Sequence, residues 1–254
     1  MYEQPKAGFA SQDSLCLGDL LRFTDSSKTK NGVFNKWFWN FGDAATASIQ
    51  NPTHRYSTAS INTITFFAQT DLGCYTDTIK KQIEVFAYPV ISAGPDLFVL
   101  DDGQKKIQST ATGRIISYTW TPSIYLSDTT ILQPTIIKPK EDTYYYLAVK
   151  GRGACTSKDT LFIVSLAMPK PPNTFTPNGD GINDTWEIKY LDQYEGCVIE
   201  VYTSTGQLLY NNTGYTKPWD GNYKGSPVPS GTYYYVIDPK NGRKKIAGYV
   251  TILR

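Results

Sequence analysis

The sequence holds a single histidine, His54, in 254 residues. A zinc site needs clustered His and Cys ligands, which one histidine does not supply, and as a catalytic base His54 would need a nucleophile and an orienting carboxylate beside it, which no motif marks out. Charge is also scarce. Asp, Glu, Lys and Arg make up 19% of the chain, and the formal net charge is +2. Nucleic-acid binding calls for a concentrated basic face. The longest basic cluster, Arg243-Lys244-Lys245, is too short for one and reads as a solvated turn. No apolar run approaches the roughly 20 residues of a spanning helix, and no segment keeps a helical period for long. The start, "MYEQPKAGFA", lacks the charged head and apolar stretch of a secretory signal. The expectation is either a cytosolic protein or the C-terminal piece of a longer exported chain.

What is abundant is strand-forming residues. Tyr occurs 19 times, and hydrophobic residues reach 40%, enough for compact cores. Runs such as "DTYYYLAV", "CVIEVYTSTGQLLY" and "GTYYYVID" lie between Gly, Pro, Asn and Asp punctuators, the pattern of short strands and tight turns. The chain is expected to be all-β.

An internal repeat sets the domain count. Trp39 and Trp120 are as far apart in sequence as Cys74 and Cys155, and Asp77-Thr78 and Asp159-Thr160 fall at nearly the same step. Three features in register argue for duplication. The period suits two small β-sandwiches, each with a Trp on a central strand. Breaks at "AYPVISAGPD" and "AMPKPPNTF" then give three tandem Ig-like or PKD-like sandwich units, 1–87, 88–168 and 169–254. Pro169, Pro171 and Pro172 favour extended backbone and stiffen the second joint.

Cys16 and Cys74 are placed near the first and last strands of the first unit, which suggests a disulfide across that sandwich and a compartment outside the cytosol. The alternative is two buried thiols. Cys155 and Cys197 have no repeat-equivalent partners and read as buried free thiols, or as a pair across the joint.

Residues 9–86 resemble a polycystic-kidney-disease (PKD) domain. Trp39, Phe41, Gly42 and Asp43 match its W-x-F-G-D turn, and Pro52, His54 and Tyr56 match its P-x-H-x-Y segment. The resemblance assigns His54 to the framework of a sandwich. Gly42 permits a turn closed to other residues, and Asp43 can bond neighbouring amides in it. The second unit keeps the Trp but loses the F-G-D turn. It is similar to PKD-like or Ig-like repeats of Bacteroidota surface proteins.

Residues 173–254 resemble the gliding-motility-associated C-terminal domain of Bacteroidota, the type B sorting domain of the type IX secretion system. The opening phrase supplies Thr176, Pro177, Asn178, Gly179, Asp180, Gly181, Asn183 and Asp184. A W-D-G segment supplies Trp219, Asp220 and Gly221. A G-x-Y-Y segment supplies Gly231, Tyr233 and Tyr234, and the final strand Gly248 and Arg254. In the hairpin "CVIEVYTSTGQLLY" only Gly206 of the family's N-R-W-G turn is kept. The resemblance implies delivery through the type IX translocon, a PorP/SprF-type outer-membrane partner, and a place outside the cell at its surface.

The same opening phrase nearly spells an EF-hand loop. Counting from Thr176, Asn178, Asp180, Asp184 and Glu187 fall at ligand positions and Gly181 at the obligatory glycine, with Thr176 in place of the first Asp. The rival reading is an Asx-rich turn closed by its own side chains. Calcium is the one cofactor these residues suggest.

No acidic pair or nucleophile marks an active site, so no enzyme is expected. The expectation is the C-terminal region of a secreted surface protein, adhesin or gliding-associated. Its first two units would form a stalk, and its third a sorting and anchoring signal. The alternative is a carbohydrate-binding accessory region of a secreted polysaccharide-degrading enzyme with the same tail, its exposed aromatics stacking on surface glycans. Side chains alternate along strands, so at least one Tyr of each YYY triplet, 144–146 and 233–235, points inward.

Overall fold

The computed structural model describes residues 3–254. Among them there is no α-helix, only two single 3-10 turns at Arg152–Ala154 and Leu191–Gln193, and the chain is a series of tandem β-sandwiches. Among the described residues no helix is long and apolar enough to cross a membrane.

Three main sheets recur with one plan. The first is ordered Ser14–Cys16, Ile79–Phe86, Ile61–Thr70, Phe34–Asn40, Thr46–Ala47. The second runs Leu97–Leu100, Thr156–Leu166, Thr143–Gly151, Ile115–Thr121. The third runs Thr174–Phe175, Ile246–Ile252, Gly231–Asp238, Val198–Tyr202, Leu208–Thr213. In each, the opening strand lies parallel to the closing one, and the other pairs are antiparallel. The closing strand Ile246–Ile252 is therefore flanked on both sides.

Alternation along each strand builds the cores. In Ile61–Thr70, Ile64, Phe66 and Ala68 face inward and are buried. Three separate cores result, centred on Trp39 and Phe66, on Trp120 and Leu147, and on Trp186 and Trp219. Complete burial of an aromatic or large aliphatic side chain stabilises by about 1.5–3 kcal/mol, provided polar atoms are satisfied. The indoles of Trp39 and Trp120 meet this condition identically, donating to the carbonyls of Ile49 at 3.0 Å and Ile131 at 3.1 Å. The sequence repeat is thus a repeat of core architecture.

The disulfide differs from the expected pair. Cys16 is bonded to Cys155, with Cα atoms 5.6 Å apart, and Cys74 is a free, exposed thiol. Strand polarity explains this. Cys16 lies beside Phe86, at the end of strand Ile79–Phe86. Cys74 sits in the turn after Thr70, at the strand's other end, a gap of roughly 25 Å at strand rise. The repeat-equivalent turn in the next unit, Arg152–Ala154, meets the bottom of the first. There the Arg152 guanidinium lies over the Phe86 ring, and a Cβ on Gly153 (φ +71°) would fall 2.0 Å from that ring. Cys155 therefore faces Cys16 across the joint.

Candidate functional site

The PKD-like residues of the first unit converge. Gly42 adopts φ +85°, and a Cβ there would lie 2.8 Å from the Thr63 backbone. Only glycine fits both the conformation and the space. Asp43 accepts the Ala45 amide at 3.2 Å and pairs with His54 Nε2 at 2.7 Å. The imidazole stacks on Phe41 and meets Tyr56 edge-on, and the Tyr56 hydroxyl donates to the Phe41 carbonyl at 3.0 Å. The Pro52 carbonyl accepts the amide of Phe23. Burial pushes the Asp43 carboxyl up. The His54 hydrogen bond, the Ala45 amide and the His54 charge outweigh it, so the group rests below its ordinary value. Burial, reinforced by Asp43, raises the Tyr56 phenol. Among the described residues no Ser, Thr or Cys side chain bonds to the Asp43–His54 pair, whose contacts are those of a turn clamp.

In the third unit, loop 176–184 is closed by its own groups. Asp184 accepts the Gly179 amide at 2.7 Å and the Gly181 amide at 2.8 Å, one on each oxygen. These two bonds hold its carboxyl below the usual value. Asp180 accepts the Ile182 amide at 2.8 Å and the Asn178 side-chain amide at 2.9 Å, while Asn178 accepts the Asp180 amide. The Thr176 amide donates to the Asn183 carbonyl. An EF-hand aims these oxygens at a common point. Here Asp184 and Asp180 aim theirs at backbone and side-chain amides, and among the described residues no group of three or more His, Cys, Asp or Glu is placed to hold a metal. The calcium expectation for Asn178, Asp180, Asp184 and Glu187 does not fit this donor set, which is that of an Asx-rich turn.

The remaining motif residues knit loop to sheet. Gly221 (φ +72°) lets three elements meet: a Cβ there would touch Pro177, Ile252 and the Arg254 guanidinium, all within 3.3 Å. Arg254 donates to the Gly221 carbonyl at 3.1 Å. Asp220 accepts the amide and side chain of Asn222. The buried indole of Trp219 donates to the Asn222 carbonyl, and the Trp219 carbonyl accepts the Trp186 amide at 2.8 Å. Gly248 leaves room for Tyr235, whose hydroxyl would lie 2.5 Å from a Cβ. Tyr233 is buried and donates to the Pro229 carbonyl at 2.7 Å. Gly231 opens the strand and pairs with Ile252.

The tyrosine triplets split as alternation requires. Tyr145 is fully buried, while Tyr144 and Tyr146 are 60% and 52% exposed. Tyr233 and Tyr235 face the third core, and Tyr234 faces out opposite Tyr249. Cys197 is a buried thiol, pushed up by burial.

Arg243 departs furthest from its sequence reading as a solvated basic turn. Its side chain is 6% exposed. Nε donates to the Tyr194 hydroxyl at 2.7 Å, and Nη2 to Asp101 at 2.7 Å and the Leu166 carbonyl at 3.0 Å. Nη1 lies 3.3 Å from Asp102. Tyr194 in turn donates to the Ala167 carbonyl at 2.7 Å. Burial would weaken the guanidinium's charge, but the bonds to Asp101 and Tyr194 more than offset it. Nothing in Arg243-Lys244-Lys245 signals this, since Asp101 lies 142 positions away.

Comparisons with known proteins agree with the two resemblances. Residues 2–85 match the family model described as PKD domain, and residues 169–252 the one described as CHU_C Type IX secretion signal domain. No curated protein matches the chain. Among solved structures, the PKD1 domain of the Vibrio cholerae metalloprotease PrtV is 25% identical, covering 33% of this chain and 98% of that one, with TM-score 0.30. The PKD1 domain of Vibrio anguillarum Epp is 23% identical, covering 34% and 99%, with TM-score 0.29.

Proposed function

From the premise that this chain carries a PKD domain at 2–85 and a type IX secretion signal domain at 169–252, we propose that it is the C-terminal region of a secreted cell-surface protein of adhesin or gliding-associated type. Units 1–87 and 88–168 serve as a stalk. Unit 169–254 addresses the protein to the type IX translocon and anchors it through a PorP/SprF-type outer-membrane protein. The observation that carries this reading is the secretion-signal match across the whole third sheet. Its motif residues supply the loop, the Gly221 contact and the buried Trp219 of that unit. The two family matches are to non-catalytic modules, and the one histidine of the first unit serves a turn clamp, which supports a stalk and address role.

The test joins a periplasmic reporter to residues 1–254 in a host with a type IX system. Surface labelling and protease shaving are expected to find it outside. Deleting 246–254 removes Val250 and Ile252 from the core together with the strand between two neighbours, and the reporter is then expected to stay in the periplasm or be degraded. Equal surface delivery without residues 169–254 would defeat the reading.

One observation favours the second reading, glycan binding by an accessory region. The outward Tyr144 and Tyr146 lie beside Phe98 and Phe162 on one sheet face, with the Tyr144 and Phe162 rings 4.4 Å apart. Such a platform can stack on sugar rings. Polysaccharide pull-down by the chain, lost in Tyr144→Ala/Tyr146→Ala, would support it.

A further inference from the structure

Residues 86–168 lie between the two family matches, and they carry the receptor for Arg243. We infer that the middle unit is a working part of the secretion signal: the signal is read as a folded pair, 88–254, bolted by Arg243. This rests on the secretion reading above.

Three features of the joint support it. Leu166, the last residue of the middle unit's strand Thr156–Leu166, is buried in the third unit's core, and Leu100 and Val164 pack against the same core. Cutting the chain at 169 would remove a core side chain and leave an apolar gap. The Arg243 guanidinium is almost fully buried, so its positive charge depends on Asp101 and Asp102 of the middle unit. A buried charge stripped of its partner is strongly destabilising. Finally, the backbone crossing is itself tied. The Asp101 amide donates to the Leu166 carbonyl at 3.0 Å, Gln193 accepts the Ala167 amide at 3.0 Å, and Tyr194 caps the Ala167 carbonyl. The turn that carries Arg243 joins Gly231–Asp238, the central strand of the signal unit's main sheet, to its inner neighbour Ile246–Ile252. The bolt therefore sets the position of the strands that form its main sheet. An address read as a folded surface then needs both units folded.

The test uses the full 254-residue chain and two substitutions on opposite sides of the joint, Asp101→Asn and Arg243→Gln, with Arg243→Lys as the conservative variant. On purified protein, Asp101→Asn lies outside the signal unit. It is nevertheless expected to speed hydrogen exchange in Ile246–Ile252 at least tenfold and to lower the melting temperature by about 10 °C. Arg243→Lys keeps charge but not the fork and is expected to fall between. In the host, reporter delivery is expected to drop several-fold in Asp101→Asn and Arg243→Gln. If Arg243→Gln fails to fold, Asp101→Asn carries the test, because it leaves Asp102 and the Leu166 carbonyl as partners. Unchanged exchange in Ile246–Ile252, or wild-type delivery of both variants while the parent reaches the surface, overturns the bipartite signal and leaves the secretion reading intact. If the parent chain itself is not delivered, the secretion reading fails and the inference with it.

Discussion

Cys16 and Cys155, 139 positions apart, close a disulfide between the bottom of the first unit and the top of the second. The bond fixes a joint rather than a sandwich. Peptide mapping under non-reducing conditions is expected to recover Cys16 with Cys155. A maleimide is expected to label Cys74 in the native protein and Cys197 only after unfolding. Cys155→Ser is expected to cost about 2–4 kcal/mol, read as a lower denaturation midpoint. Labelled Cys16 and unlabelled Cys74 would reverse the assignment.

Gly42→Ala is expected to destabilise the first unit by about 1–3 kcal/mol. The new Cβ meets the Thr63 backbone at 2.8 Å, and φ +85° is unfavourable for it. Gly179→Ala, also at positive φ (+81°) but with open space around it, isolates the conformational cost and is expected to lose less. Equal losses on urea titration would show that contact with Thr63 is not the cause.

The Asp43–His54 pair predicts an acid limb in stability. Asp43 is held below its unfolded value by His54 and the Ala45 amide, which outweigh the opposing effect of burial. A depressed carboxyl contributes stability above its unfolded pKa, and that contribution disappears as pH falls through the folded one. The first unit is therefore expected to weaken below about pH 4, and Asp43→Asn to flatten that limb. Hydrogen exchange at Thr53–His54 between pH 6 and 3 measures it; an unchanged limb in the variant would refute the pairing's role.

In loop 176–184, millimolar calcium is expected to leave the melting temperature of the chain unchanged, because the oxygens of Asp184 and Asp180 already serve amides. Asp184→Ala is expected to speed exchange of the Gly179 and Gly181 amides with or without calcium. A calcium-dependent rise in melting temperature that Asp180→Ala abolishes would restore the metal reading.

How much of this was legible follows from the range of the interactions. The period-2 burial of Tyr144–Tyr146 and Tyr233–Tyr235 and the shared setting of Trp39 and Trp120 depend on neighbours within a strand or a hairpin. They could be read from residue order. Loop 176–184 was legible as a choice of two, and its hydrogen bonds decide between them, because identical Asx residues serve a turn or an ion depending on where their oxygens point.

The sequence by itself determined the all-β class, the duplicated Trp-centred core and the two motif-bearing units, since alternation, turn residues and short motifs are local consequences of backbone geometry. Tertiary structure alone decided which cysteine Cys16 meets and that Arg243 is buried against Asp101. Both contacts form where the bottom of one sandwich meets the top of the next. Partners there are chosen by the direction in which whole strands run and stack, and no spacing along the chain encodes that direction.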